Sequence, residues 1–153
     1  MDIQIENASA TDLGTIVELE KQCFTSEAFS RQQISYLLKD CNSISLVARV
    51  NGDIMGFVIL QLDIDDASGV VFGHIVTLNV AVVFRRRGVA KMLLVRCEEL
   101  LKLQGVFECR LEVRNANYAA LELYKQMGYV EVGLLKGYYG KEHGLYFRKR
   151  FSC

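Results

Sequence analysis

Proline and tryptophan are both absent from this 153-residue chain, and no apolar run approaches the roughly 20 residues that cross a bilayer. The N-terminal segment lacks the basic region and apolar stretch of a secretory signal. The five cysteines, Cys23, Cys41, Cys97, Cys109 and Cys153, form no CxxC pair and have no metal-ligand spacing. We therefore expect a cytoplasmic protein with reduced cysteines, no bound metal and no membrane association.

An excess of charge of either sign is also missing, because 18 Lys and Arg residues balance 18 Asp and Glu residues. No net field is present to hold a nucleic-acid backbone or an anionic membrane surface, so binding that depends on charge must be local. The composition, 51% hydrophobic and 24% charged, is that of an average globular protein. At this length we expect one domain spanning residues 1–153.

Strand and helix patterns alternate along the chain without a repeat or linker. They predict a strand at 3–5, helices at 13–20 and 30–39, a hairpin of 43–50 and 53–62 around Asn51-Gly52, a strand at 70–83, a helix at 87–103, a strand at 106–113, a helix at 117–127 and two strands after 129. Both hairpins and crossovers occur. We therefore predict an α/β fold (α+β in some schemes) with a mixed sheet of about six to seven strands and about four helices.

The segment from Phe84 to Lys91 lies between a predicted strand and a predicted helix and contains three consecutive arginines. Main-chain amides in a glycine-containing turn, continued by the first turn of a helix, form a concave phosphate site. Gly88 and the small Ala90 would let a diphosphate come close to the backbone. Neither a Walker motif nor a GxGxxG motif occurs. A solvated basic run before a helix remains an alternative interpretation.

Residues 85–90, RRRGVA, resemble the [QR]-x-x-G-x-[GA] acetyl-CoA motif of the GNAT superfamily of N-acetyltransferases. The resemblance continues through Gly73–Val80, Leu111–Asn117, Ala120–Tyr124, Gly128-Tyr129 and Lys136–Tyr139, which together cover roughly half the chain. The combination of LEVR-x-x-N, LY-x-x-x-GY and a late Tyr-Tyr resembles the protein N-terminal acetyltransferases, including the RimI branch and the archaeal-type catalytic subunits. The resemblance implies a GNAT-like fold.

The resemblance also implies acetyl-CoA as cosubstrate, without a metal. A backbone N–H near the end of the fourth strand would polarise the thioester carbonyl, and the glycine turn would hold the phosphates. Asn117 would touch the pantetheine arm and cap a helix. The residues implied for cofactor binding are Leu78, Asn79, Val80, Arg85, Arg86, Arg87, Gly88, Val89, Ala90, Lys91, Asn117 and Tyr124.

Three side chains are implied for catalysis: Glu112 and His74 as candidate bases, and Tyr124 as the group that hydrogen-bonds the cofactor sulfur. Alternation over 107–113 places Glu112 on a polar strand face that could line a cleft. The same face could instead be a solvated surface with cross-strand ion pairs. His74 could be a structural histidine and Tyr124 a core residue, so these alternatives stay open.

The resemblance further implies that Phe24, Glu27, Tyr138 and Tyr139 wall a groove for the first residues of a peptide. A peptide α-amine has a pKa of about 7.7–8.0 against about 10.4 for lysine, so a modest base suffices for the former. This difference and the resemblance together lead us to expect protein N-termini as acceptors. The resemblance also implies ribosomal or nascent chains among them and an auxiliary subunit as a candidate partner. The chain departs from its family after Tyr139, so the preferred first residue cannot be transferred.

Two other functions remain open. The acceptor could be a small amine or a lysine side chain, or the chain could be a non-catalytic acyl-CoA-binding subunit. The presence of Glu112, Tyr124 and the glycine turn argues against the second of these. Nucleic-acid binding through Arg85–Arg87 is disfavoured by the neutral net charge. No cysteine lies in a nucleophile signature, so we expect direct attack by the amine without an acyl-enzyme.

Overall fold

The computed structural model describes residues 2–24 and 28–152, in which seven strands form one mixed sheet in the order β1-β2-β3-β4-β5-β7-β6. The strands are β1 (Gln4–Asn7), β2 (Ser43–Val50), β3 (Asp53–Ile64), β4 (Val71–Val80), β5 (Glu108–Arg114), β6 (Val130–Tyr139) and β7 (Glu142–Arg150). The α-helices are α1 (Leu13–Cys23), α2 (Arg31–Lys39), α3 (Val89–Leu103) and α4 (Tyr118–Gln126). The predicted α/β class is confirmed. None of these helices has the length and apolar character of a membrane-spanning segment.

The chain divides into two compact units, and the first comprises Met1–Gln61 and Val76–Leu100. Its core is formed where the apolar faces of α1 and α2 meet β2 and β3. The buried side chains there are Ile16, Val17, Leu19, Ile34, Leu37, Val47, Phe57 and Ile59. Helix α2 begins with a capping box, in which the Ser30 hydroxyl accepts from the Gln33 N–H and the Gln33 side chain accepts from the Ser30 N–H.

The second unit comprises Leu62–Ile75 and Leu101–Cys153. In it, β5 pairs with β7 and β7 pairs with β6, both antiparallel, while the first half of β4 pairs parallel with β5 at Gly73–Cys109 and His74–Arg110. Arg110 donates to both Asp65 and Glu108, and Arg150 donates to Glu108 from the neighbouring strand. Burial raises the pKa of Glu108, but these guanidinium hydrogen bonds outweigh it and hold the pKa below its ordinary value.

The turn of the first hairpin and the cap of α4 follow the sequence signals. Asn51 and Gly52 both have positive φ, at 53° and 86°, as the predicted tight turn requires. Asn117 caps α4, its side-chain oxygen accepting from the Ala120 N–H at 3.2 Å.

The predicted strand at 70–83 is wrong at its end, because β4 stops at Val80 and residues Val82–Phe84 form a 3-10 helix. The predicted helix at 87–103 begins two residues later, at Val89.

Candidate active site

The turn between β4 and α3 lies wholly in the first unit and contains two residues in the left-handed region. Arg86 has φ of 63° and Gly88 has φ of 78°. The first helical hydrogen bond of α3 runs from the Met92 N–H to the Gly88 carbonyl, so the amides of Val89, Ala90 and Lys91 precede it. A Cβ added to Gly88 would find no heavy atom within 4 Å, so the space above the turn is open. Such a turn suits a diphosphate.

The Arg85 side chain contacts other residues of its own unit, so it is more than a surface cation. Its Nε donates to the Val80 carbonyl at 3.1 Å, and its Nη2 lies 3.4 Å from the Cys23 sulfur. The guanidinium of Arg87 lies over the Phe84 ring at 5.3 Å. An open groove of about 520 Å³ adjoins the turn, and Arg87, Gly88 and Lys91 line its basic part. Two of the predicted cofactor residues therefore offer cationic side chains beside the amides.

The end of β4 carries the other predicted cofactor residues of this unit. Leu78 is half-buried, and Asn79 and Val80 are buried. The Asn79 amide donates to Glu20 Oε1 at 2.7 Å, so its side chain serves an internal contact and a cofactor role would fall to its backbone. The backbone N–H groups of this strand end are the candidates for polarising a carbonyl.

His74 and Glu112 lie together in the second unit, on β4 and β5. His74 Nε2 is 2.7 Å from Glu112 Oε1, and the two side chains are 30% and 18% exposed. They are thus reachable from solvent and partly shielded from it. The two alternative bases of the sequence analysis form one hydrogen-bonded pair. Glu112 is therefore not part of a fully solvated sheet face.

Tyr138 and Tyr139 form an aromatic wall near this pair, their rings meeting edge to face with centroids 4.9 Å apart. Burial and the negative charge of Glu112 raise the pKa of Tyr138. The Arg114 guanidinium lies 4.7 Å from the Tyr139 ring centre. A Cβ on Gly144 would lie 3.1 Å from Tyr139 Cε2 and 3.2 Å from Tyr138 Cδ1, so glycine at this position lets both rings pack against β7.

Tyr124 is buried on α4, with its ring edge to face against Tyr129 at 5.8 Å. Burial raises the pKa of Tyr124 well above that of an ordinary phenol, and the neighbouring Cys109 and Tyr139 raise it further. The phenol therefore keeps its proton throughout the neutral and mildly alkaline range. That state suits a hydrogen-bond donor to a developing anion.

The structure brings together four predicted residues of the second unit, His74, Glu112, Tyr138 and Tyr139. Tyr124 belongs to the same unit. In the first unit Phe24 directly follows α1 and its N–H donates to the Glu20 carbonyl. Glu27 lies outside the described residues. Within residues 2–24 and 28–152, no cluster of three or more His, Cys, Asp or Glu side chains has the geometry to hold a metal ion.

Two residues that the sequence analysis did not single out for the site have clear structural roles. Gly144 makes room for the tyrosine pair, and Glu20 places a carboxylate on the buried face of α1. The signal for Glu20 was visible, because it shares the helical spacing of the apolar residues Ile16 and Leu19. A charge on a buried helical stripe indicates a specific buried partner.

The model of the acetyltransferase (GNAT) family matches residues 13–129, and this chain belongs to that family. It is an acetyltransferase by class, as the motif resemblance implied.

Within this family, the chain is similar over most of its length to proteins named N-alpha-acetyltransferase. The N-alpha-acetyltransferase of Sulfolobus acidocaldarius is 30% identical over 153 residues, covering 95% of this chain and 90% of the relative. The N-alpha-acetyltransferase of Sulfurisphaera tokodaii is 28% identical over 152 residues, covering 95% and 90%. The crystal structure of the ribosomal-protein-S18-alanine N-acetyltransferase from Escherichia coli superposes with a TM-score of 0.86, 23% identity and coverage of 99% and 96%. The last likeness concerns the fold alone.

Proposed function

We propose that this chain is an acetyl-CoA-dependent acetyltransferase acting on the free α-amine of protein N-termini by direct attack. The observation that carries the proposal is the 2.7 Å contact between His74 and Glu112 in the same unit as the aromatic pair Tyr138 and Tyr139. A base can remove the proton of a peptide amine, and the aromatic rings beside it can contact the peptide. The two archaeal relatives with the N-alpha-acetyltransferase name support the same acceptor class.

The turn at Gly88 provides the anion-binding part of the reaction. The amides of Val89, Ala90 and Lys91, with the cations of Arg87 and Lys91, would hold a diphosphate at the start of α3. Acetyl-CoA, when bound, supplies the activated acetyl thioester. Backbone amides at the end of β4, from Leu78 to Val80, would hold the carbonyl oxygen.

The His74–Glu112 pair takes up the proton of the acceptor amine. At pH 7, deprotonating an α-amine costs about 1 kcal/mol, whereas deprotonating a lysine side chain costs about 4 to 5 kcal/mol. Glu112, acting directly or through a water molecule, is a strong enough base to deprotonate an α-amine. His74 orients the Glu112 carboxylate through the 2.7 Å hydrogen bond. The modest base thus favours α-amines over lysines.

Tyr124 serves the other end of the reaction as a neutral hydrogen-bond donor. Burial keeps its hydroxyl protonated, so it can stabilise a thiolate without itself being lost to ionisation. A thiol has a pKa of about 8.5 and leaves tolerably as an anion. Tyr124 therefore accelerates the reaction without being indispensable.

Tyr138 and Tyr139 are the proposed acceptor-site residues of the second unit. Phe24 and Glu27 stay predictions of the family resemblance for the same role. Aromatic rings can stack on the first peptide residues while hydroxyl groups donate hydrogen bonds to the main chain. Ribosomal N-termini, which the motif resemblance implied as acceptors, belong to this proposal. An auxiliary subunit that presents nascent chains belongs to the same proposal.

The test compares three kinds of acceptor at equal concentration with purified chain and acetyl-CoA. These are short peptides with a free α-amine and varied first residue, the same peptides blocked at the N-terminus with one internal lysine, and a small polyamine. We expect the free α-amine peptides to be acetylated at least about tenfold faster than the others. Equal rates on the blocked lysine peptides would contradict the proposal, and acetyl-CoA binding without any transfer would identify a non-catalytic subunit.

A further inference from the structure

Glu20 has a buried carboxylate that the proposed reaction does not use. It lies on α1, its residue is 1% exposed, and all of its recorded side-chain partners are in the first unit. Its Oε1 accepts from the Thr77 hydroxyl at 2.6 Å and from the Asn79 amide at 2.7 Å. Its Oε2 accepts from the backbone N–H of Phe29 at 3.0 Å. A buried carboxylate is costly unless such donors satisfy it, so this arrangement has a specific structural purpose.

The orientation of these hydrogen bonds is determined by their chemistry. The Asn79 amide donates to the Thr77 hydroxyl as well, at 3.1 Å, which leaves the hydroxyl proton of Thr77 for Glu20. The Phe29 partner is a main-chain N–H and can only donate. All three partners are therefore donors, and a carboxylate with two acceptor oxygens matches them without any counter-cation.

The same residue also contacts both described ends of the segment that joins α1 to α2. The backbone carbonyl of Glu20 accepts from the Phe24 N–H at 2.9 Å, while its carboxylate accepts from the Phe29 N–H. Phe24 is a proposed acceptor-site residue. Thr77 and Asn79 flank Leu78, where the strand end is proposed to hold the acetyl carbonyl. The Glu20 side chain thus links Phe29 to the donor-side strand, and the Glu20 backbone carbonyl contacts Phe24.

We propose that Glu20 is a positioning residue, whose buried carboxylate holds Phe29, just before α2, at a defined distance from the Thr77–Asn79 part of β4 so that acceptor and acetyl donor are aligned. This inference rests on the proposed function. It assigns to Glu20 no contact with either substrate. Its effect is exerted through Phe29 on one side and through the β4 side chains on the other.

The first variant is Glu20→Gln, which replaces one acceptor oxygen by an NH₂ group of the same size. Keeping the amide oxygen at Thr77 and Asn79 preserves two hydrogen bonds, and the NH₂ group then faces the Phe29 N–H. We expect faster hydrogen exchange at the Phe29 amide and a peptide KM raised about tenfold, with the acetyl-CoA KM changed less than about twofold. Thr77→Val, which leaves the Phe29 bond in place, should preserve the Phe29 protection.

Asp12→Asn is the matched control. Asp12 is a second buried carboxylate of the same unit, 6% exposed, and it binds Arg49 and the Ser9 N–H without contacting Phe29, Thr77 or Asn79. We expect Asp12→Asn to lower the melting temperature while leaving both KM values unchanged. All kinetics are measured at least about 15 °C below the lowest melting temperature, so that unfolding does not contribute.

If Glu20→Gln fails to fold, two variants of Phe29 still test the proposal. Phe29→Pro and Phe29→Ala both remove the ring, but only proline removes the N–H that Glu20 accepts. We expect the proline variant to have the larger peptide KM by about tenfold. Equal values for these two variants, or a Glu20→Gln protein that loses stability without separating the two KM values, would overturn the proposal.

The acceptor used in these assays separates this proposal from the proposed function. If the wild-type chain acetylates a small polyamine or a blocked lysine peptide in preference to a free α-amine, the proposed function fails. The KM comparison is then made with that preferred acceptor. A KM separation together with faster Phe29 exchange would still support the positioning role, and its absence would still refute it.

Discussion

In the unit that contains Val76–Leu100, the candidate diphosphate site consists chiefly of main-chain amides, whereas in the unit that contains Leu101–Cys153 the candidate proton-transfer site consists of side chains. A main-chain site depends on backbone conformation, so a substitution of its glycine is the change that can disrupt it. A side-chain site depends on chemical groups, and isosteric substitutions can remove them one at a time. Damage to the first should therefore change affinity, and damage to the second should change rate.

The sharpest test of the side-chain site is Glu112→Gln, which keeps the shape and removes the basic oxygen. We expect kcat to fall by about 100-fold, in line with the contribution of a positioned general base. The acetyl-CoA dissociation constant, measured by calorimetry, should stay within about twofold of the wild type. His74→Gln should have a smaller effect, and a larger loss with His74→Gln than with Glu112→Gln would make His74 the principal base.

The corresponding test of the main-chain site is Gly88→Ala. Alanine at φ of 78° is strained by about 1–2 kcal/mol, so the turn must change shape, and we expect acetyl-CoA affinity to fall by about 10-fold to 30-fold. Gly105→Ala is the control, because Gly105 ends the same helix with φ of 75° and also has open space around it. Calorimetry should show no loss of affinity for the control. An equal loss in both variants would mean that strain alone explains the result.

Tyr124→Phe removes only the phenolic hydroxyl, and we expect kcat to decrease about tenfold without being abolished. Because burial raises the pKa of Tyr124, the wild-type hydroxyl stays protonated, so the wild-type advantage should be constant from about pH 7 to about pH 10.5. Initial rates over that range provide the measurement. A wild-type advantage that falls to about half near pH 10 would mean that the phenol ionises at an ordinary pKa.

Gly144→Ala tests the aromatic wall separately from the base. The new methyl group would lie 3.1 Å from Tyr139 and 3.2 Å from Tyr138, so both rings must shift. We expect the peptide KM to rise about fivefold with kcat nearly unchanged. Gly133→Ala, on the neighbouring strand of the same hairpin, is the control, since its methyl group would meet only the Tyr146 Cβ at an ordinary 3.8 Å. Similar KM values for the two variants would contradict the role of the tyrosines.

The smallest effect concerns the stability of the second unit. The Arg110 guanidinium, helped by the Ser68 and Ala67 N–H groups, lowers the pKa of Asp65 from 3.8 to about 2. The stabilisation is therefore complete above about pH 4 and is lost as the pH falls through about 2. Asp65→Asn should lower the melting temperature at pH 7, and this difference should shrink towards zero near pH 2. Acetyl-CoA affinity should be unaffected.

Signals that belong to the local backbone were predictable from the sequence. Asn51-Gly52 identified the hairpin, and Gly105 and Gly128, both with positive φ, mark where α3 and α4 end. The end of β4 was not predictable, because Val82 and Val83 have strand-like side chains but lie in a 3-10 helix. β-Branching reports a preference for a strand, and the local turn towards α3 overrides it.

In the candidate site, too, the local strand pattern was predictable from the sequence, and the contacts between distant residues were not. Alternation along β5 placed Glu112 on the polar face, and the family resemblance drew attention to His74, but their 2.7 Å contact depends on the pairing of β4 with β5. Glu108 shares that face and is nevertheless 4% exposed, because Arg110 and Arg150 cover it. Which polar residue is solvated and which is enclosed depends on neighbours distant in sequence, and a strand pattern carries no information about them.

The hairpin of β6 and β7 contains an irregularity beside the tyrosines. Leu135 pairs with Gly144 and Tyr139 pairs with Glu142, so three residues of one strand face a single residue, His143, of the other. A bulge of this kind absorbs changes in length locally, and the ladder before it keeps its register. If Tyr138 and Tyr139 contact the acceptor as proposed, the tip of this hairpin can change in length and sequence during evolution, and with it the choice of acceptor, while the paired strands behind it stay the same.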